Sequence, residues 1–241
     1  MISIVQQDSH RYGVCRNGQD IGSITVSTNS YHNRNLYLNL ALTQYDPAIA
    51  KELFSLLRRA LSRPLQMMVD SRTDRHTFLS AGGFERRRRC YELEVSPADL
   101  IAPLRPVLPL QTVIKGSSIY AACCELLYDY YCQTHAQISP LTVSPDVFCA
   151  DLPETVICCI ADGRPVHYAF VELDESAFEI AYVGTTHPDT FTDFAHALIH
   201  ALFQASDTLT MECDDCDPAA MTLRSLFRTS SDDSYDTYIL D

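Results

Sequence analysis

The chain has 241 residues, 46% of them hydrophobic, and a formal net charge of −13. That length allows one large or two modest domains with a real core, and the acidic balance argues against nucleic acid as a partner. Ten cysteines behind a start, MISIVQQDSH, that lacks a basic-then-apolar export pattern predict reduced thiols and a cytoplasmic location; the lack of an apolar run of ~18 residues argues against a membrane span.

In chain order, YGVCRNGQDIGSITV predicts two strands about Asn17-Gly18, a two-residue hairpin turn. NLYLNLAL at 35–42 predicts a further strand, after which Ile49, Leu53, Leu56, Leu57 and Ala60 recur at helical spacing. LQMMVD at 65–70 reads as a strand, and a short helix and a last strand ending in CYELEV follow it. That strand opens with four consecutive arginines, Arg86 to Arg89, expected to be solvated strand charges facing the acidic second half. Residues 1–100 carry thirteen Lys/Arg against ten Asp/Glu, and the remainder five against twenty-one. The first half therefore suits an anion and the second a cationic partner.

Pro97, Pro103, Pro106 and Pro109 crowd one window and predict a stiff linker at 97–109 between domains at 1–96 and 110–241. LQTVIKG then reads as a strand and IYAACCELLYDYYCQTH as a helix capped by Ser117 or Ser118. TVICCIADGRPVHYAFVEL repeats the hairpin about Asp162-Gly163, and AFEIAYVG at 177–184 is the next strand. Phe191, Phe194, Ala195, Leu198 and Leu202 follow at helical spacing, then TLTMEC, a short helix and DTYIL. Gly18 and Gly163, Ala50 and Ala195, and Phe84 and Phe227 are separated by 143–145 positions, which indicates an internal duplication. The first copy lacks the leading strand and helix of the second.

This element order, with LNLALTQYDPAIAKELFSLL and DSRTDRHTFLSAGGFERRRRCYELEV, resembles the GNAT acetyltransferase superfamily. The resemblance implies an α/β (α+β) fold with a mixed sheet in two GNAT-like repeats, the first without its leading strand and helices. It implies that two central strands splay to admit acetyl-CoA, whose pyrophosphate rests on the helix after the fourth strand. A helix start offers unpaired N–H donors and a partial positive charge of ~0.5 e. In the first half that region comprises Leu40, Leu42, Tyr45, Asp46, Ala48, Ile49, Ala50 and Lys51, with Arg72 and Arg75 as cations.

The sequence departs from the family's loop of Gln or Arg, glycine, then glycine or alanine. Those positions are Tyr45, Ala48 and Ala50 in the first half and Thr190, Asp193 and Ala195 in the second. Pro47 removes one donor, while Asp193 would set a carboxylate against a pyrophosphate, so the first half is the expected acetyl-CoA site. The family's acid tyrosine is replaced by Leu79 and Arg224. Glu179 is the candidate general base, weighed against the commoner solvated strand carboxylate.

The implied function is N-acetyl transfer to an amine, small molecule or peptide, with a cationic amine favoured by the acidic second half. The alternative is a catalytically silent binding or scaffold protein. A second copy of the chain is a candidate partner. No metal is expected: Cys213 and Cys216 have half a zinc spacing without a second pair, and His196 and His200 read as a helix edge. Tyr128, Tyr130 and Tyr131 read as core packing ahead of a substrate groove.

Overall fold

The computed structural model describes residues 1–174, 177–230 and 233–241. The elements are β1 (Ile2–Gln6), β2 (Arg11–Arg16), β3 (Gln19–Ser27), β4 (Leu36–Leu42), α1 (Pro47–Leu61), β5 (Leu65–Asp70), α2 (Arg75–Ala81) and β6 (Glu85–Val95). They continue as β7 (Gln111–Ile114), α3 (Ser118–His135), α4 (Pro145–Ala150), β8 (Thr155–Ala161), β9 (Arg164–Asp174) and β10 (Ala177–Thr185). The last are α5 (Phe191–Phe203), β11 (Leu209–Asp214), α6 (Pro218–Arg224) and β12 (Ser234–Leu240). Hairpin, strand, helix, strand, helix, strand thus occurs twice, as β2 to β6 and as β8 to β12. Both hairpin turns have positive φ at their two central residues, Asn17-Gly18 and Asp162-Gly163, as a type I′ turn requires.

Two compact units interleave along the chain, unlike the sequence boundaries at 1–96 and 110–241. One comprises Met1–Arg89, Ala136–Val143 and Tyr235–Asp241; the other comprises Cys90–His135 and Ser144–Ser234.

In the first unit the strand order is β1-β2-β3-β4-β5-β12, followed by the Glu85–Arg89 portion of β6. The strand β1, unforeseen in the sequence, pairs antiparallel with β2, with Ile2 opposite Arg16. The helix α1 starts where Pro47 fixes φ and Asp46 caps, and it ends at Ser62 in the left-handed region. Its apolar stripe, Ile49, Ala50, Leu53, Phe54 and Leu57, is buried against Leu65, Met67 and Phe78.

Residues 136–143 complete this unit from far along the chain. The buried amide of Asn35 donates to Gln66 (2.8 Å) and to the Ile138 carbonyl (3.1 Å), and Ser139 also donates to Gln66 (3.0 Å). They cover a polar spot on β5 that would otherwise be buried unsatisfied.

The arginine run is exposed at Arg86 and Arg87 and meets carboxylates of the acidic second half, as expected, but it also holds a buried one. Asp236 on β12 has a side chain only 2% exposed. Arg89 grips both of its carboxylate oxygens at 2.7 and 2.8 Å, and Arg86 adds a contact at 3.4 Å. Arg88 donates to Thr237, and Arg87 pairs with Asp241. Burial acts to raise the Asp236 carboxyl pKa, but the two guanidinium groups outweigh it and hold it below the usual carboxylate range.

In the second unit the order runs from the Cys90–Val95 portion of β6 through β11, β10, β9 and β8 to β7. Alternate residues of β9 face opposite sides. Ala169 and Val171 join the core formed with α5 and α6. Tyr168 and Phe170 point the other way, where Tyr120 of α3 packs edge-on against Phe170 at 5.7 Å. The fully buried Tyr168 ring lies over Gly184, where a Cβ would come within 2.4 Å of the Tyr168 hydroxyl. Residue 184 must therefore be glycine for this packing.

The proline-rich stretch expected as a linker lies in the second unit. Leu100, Leu104 and Leu108 pack on its core, and Ser96 and Asp99 form a capping box. Among the described residues, no helix is long and apolar enough to cross a membrane.

Candidate active site

In the first unit, β4 and β5 run parallel but pair only at Leu36 with Leu65 and Tyr37 with Gln66. Leu38–Leu42 and Met67–Asp70 then part, and the loops following each strand flank the gap. Tyr45, in the loop after β4, links that strand to α2: its hydroxyl donates to the Leu40 carbonyl (2.9 Å), and its ring packs edge-on against Phe78 at 5.5 Å. The Arg75 guanidinium lies over the Tyr45 ring, 4.6 Å from its centroid. Met68, Val69, Asp70, Arg72, Thr73 and Arg75 line a cleft of about 420 Å³. Arg72 grips Asp70 with Nε and Nη2 at 3.1 and 2.8 Å, lowering the Asp70 pKa to about 2.

At the start of α1, the carboxylate of Asp46 accepts from the Ala48 N–H (2.9 Å) and from Arg16 (2.9 Å). The Ala48 bond, with help from Arg16, holds its pKa below the usual range. The Ile49 N–H bonds the Asp46 carbonyl, and Pro47 has none to offer. Of the residues expected at an acetyl-CoA site, Tyr45 touches Leu40 and Arg75, while Arg72 and Arg75 line the cleft beside β5. Asp46 and Ala48 satisfy each other. Ile49 and Ala50 are buried in the core, Leu42 packs against it, and Lys51 is exposed on the next turn.

The corresponding parallel pair of the second unit, β10 and β11, is matched only over Phe178–Ile180 and Leu209–Met211, with a bulge between Ile180 and Tyr182. Glu179 is exposed there. With Glu92, Glu94, Glu212 and Asp233 it lines a cleft of about 400 Å³. Strand alternation explains the cluster: Leu93, Met211 and Ile180 face the core, so their neighbours in sequence face out. Five carboxylates in one cleft make a field that attracts cations.

No side chain caps the start of α5, and Asp193 stands exposed in its first turn. Thr190 and Thr185 hold buried His167 from both sides (3.0 and 2.8 Å). Burial, with His187 nearby, pushes the His167 pKa down. Asp217 caps α6, accepting from Ala219 and Ala220, and takes a 2.6 Å hydrogen bond from the Tyr130 hydroxyl. Burial pushes the Asp217 pKa up, against the pull of Tyr130.

Tyr130→Phe should therefore cost about 1.5–3 kcal/mol, the usual value of a hydrogen bond to a buried charge. Because the folded pKa of Asp217 is raised, its contribution is most favourable below the unfolded value and falls as pH rises through the folded one. Losing Tyr130 raises that pKa further, so urea denaturation should show a larger penalty at pH 7 than at pH 4. An equal penalty at both would place the ionisation elsewhere. The sequence flagged Tyr130 only as an aromatic and missed this pair, because its partner is 87 residues away.

Solved structures of similar fold include a GCN5-related N-acetyltransferase from Sphaerobacter thermophilus, with TM-score 0.54 and 9% identity over 98% of this chain and 82% of that one. Another from Kribbella flavida gives 0.50 and 17% over 98% and 88%. A conserved protein of unknown function from Enterococcus faecalis V583, a probable N-acyltransferase, gives 0.51 and 14% over 95% of this chain. The chain has a GNAT fold. It spans 61% of the length of the Enterococcus protein. No family model and no curated protein matches it.

Leu79 and Arg224, the residues expected in place of the family's acid tyrosine, both serve packing. Leu79 is fully buried in the first unit's core. Arg224 stacks on Tyr91 with its guanidinium 3.9 Å from the ring centroid.

Proposed function

We propose that the chain is an acyl-CoA-dependent N-acyltransferase that takes a cationic amine as acceptor. The observation that carries this reading is the parting of both parallel strand pairs, β4/β5 and β10/β11, after two or three matched residues. A parted pair offers unmatched strand backbone to an extended ligand, with a helix start beside it. In the first unit, Arg72 and Arg75 supply charge for phosphates, and small Ala48 stands exposed at the start of α1. The Asp46 carboxylate at that helix start is the group opposed to a pyrophosphate there. In the second unit, the acidic cleft that includes Glu179 attracts cations such as a protonated amine.

The test offers acetyl-CoA with spermidine, aminoglycosides or a lysine-rich peptide, alongside glutamate as an anionic amine. Release of the CoA thiol should favour the cationic amines, rise with pH as the amine deprotonates, and fade with salt. Glu179→Gln should weaken the preference for cationic amines. No turnover with any amine would overturn the proposal.

A second reading, a binding protein of the same fold without catalysis, is favoured by one observation. The first-turn donors of α1 are already engaged within the chain, Ala48 by the Asp46 side chain and Ile49 by the Asp46 carbonyl.

A further inference from the structure

In the second unit, the end of α3 meets the end of β11. The His135 side chain is 4% exposed, its ring stacked on Tyr131 at 3.9 Å, and its Nε2 lies 2.9 Å from Asp214 Oδ2. Cys216 is two residues beyond Asp214. One donor atom from each of His135, Asp214 and Cys216 lies within 4.8 Å of the other two, the single such group among the described residues.

Thr134 Oγ1 lies 3.1 Å from the Tyr130 carbonyl and 3.3 Å from that of Tyr131. At 2.9 Å it also meets Nδ1 of His135, so the ring is held from behind with Nε2 turned to Asp214. With its proton on Nδ1, the imidazole presents the Nε2 lone pair beside a carboxylate oxygen and a thiol. A metal cation uses all three groups, since imidazole nitrogen, carboxylate oxygen and thiolate sulfur are the ligand types of zinc.

We propose that His135 Nε2, the Asp214 carboxylate and the Cys216 thiolate bind one divalent cation of the zinc type. Thr134 orients the imidazole from behind, as outer partners of metal-bound histidines do. Three protein ligands leave a fourth position for water or another donor. The ion ties the last turn of α3 to the turn between β11 and α6, so binding stabilises the folded unit. The sequence offered Cys213 and Cys216 only as half a zinc spacing; Cys213 is buried in the core, and the proposed partners of Cys216 are Asp214 and a residue of a distant helix.

The test titrates the metal-free full chain with Co²⁺, then with Zn²⁺. One Co²⁺ per chain should bind with a thiolate-to-cobalt charge-transfer band, and Zn²⁺ should bleach it. Cys216→Ser should abolish the band and weaken Zn²⁺ at least tenfold, while Cys15→Ser changes neither. A measurement without substitution guards against misfolding: Zn²⁺ should slow alkylation of Cys216 at least tenfold relative to Cys15, read by peptide mass spectrometry. A missing band with unprotected Cys216 would overturn the proposal and leave His135 and Asp214 as a hydrogen-bonded pair. A band that survives Cys216→Ser would overturn it equally.

Discussion

Truncation after Ser234 is expected to unfold the first unit while leaving the second folded. The deletion removes the partner of β5 along Leu65–Asp70, together with Asp236, Tyr238 and Ile239. Burying Tyr238 and Ile239 contributes about 1.5–3 kcal/mol each, and the whole antiparallel ladder from Tyr235 to Leu240 along β5 goes with them. Together these rival the ~5–15 kcal/mol that holds a typical domain. Hydrogen exchange should show lost protection in β2 and β3 and retained protection in β8 and β9. Residues 1–96 expressed alone lack both 136–143 and 235–241 and should be molten for the same reason. Native protection throughout the truncated chain would show that β12 is dispensable.

Arg89→Met should be the most damaging single substitution in the arginine run, at roughly 3 kcal/mol or more. It leaves the Asp236 carboxylate buried, with only Arg86 at 3.4 Å and His76 at 3.9 Å beside it. Asp236→Asn should cost less, because the Arg89 and Arg86 side chains it leaves behind are 26% and 44% exposed and can reach water. The folded pKa of Asp236 is depressed, so the pair's contribution is present above the unfolded carboxylate value of ~3.9 and lost as pH falls through the folded one. The stability gap between the unsubstituted chain and Asp236→Asn should therefore close in acid. Equal costs for both substitutions, or a gap unaffected by acid, would mean the carboxylate is not the anchor.

What could be read in advance was local. Asn17-Gly18 and Asp162-Gly163 fix their turns by backbone conformation alone, and the stripes of α1 and α5 follow from period. Short elements escaped: β1 has five residues and α4 has six, too few for periodicity to register. Strand partnership was the larger gap. DTYIL is legible as a strand, but nothing within it names β5 as its neighbour, and Ala136–Val143 carries no mark of belonging beside Gln66. Charge complementarity between the arginine run and the acidic second half was the one pointer, and it located Asp236 only loosely. The candidate site divides the same way. Tyr45, Arg72 and Arg75 follow from the order of elements, whereas the acidic cleft depends on β6 lying beside β11, a pairing known only from the fold.

The central claim is tested most directly by calorimetric titration of the folded full chain with acetyl-CoA. Saturable binding is expected, weakened more than tenfold (~1.4 kcal/mol) by Ala48→Asp. Asp46→Ser should strengthen it, because serine keeps the helix cap while removing the charge that opposes a pyrophosphate. The absence of saturable heat with the folded chain, in both the unsubstituted and the Asp46→Ser forms, would contradict an acyl-CoA-dependent activity.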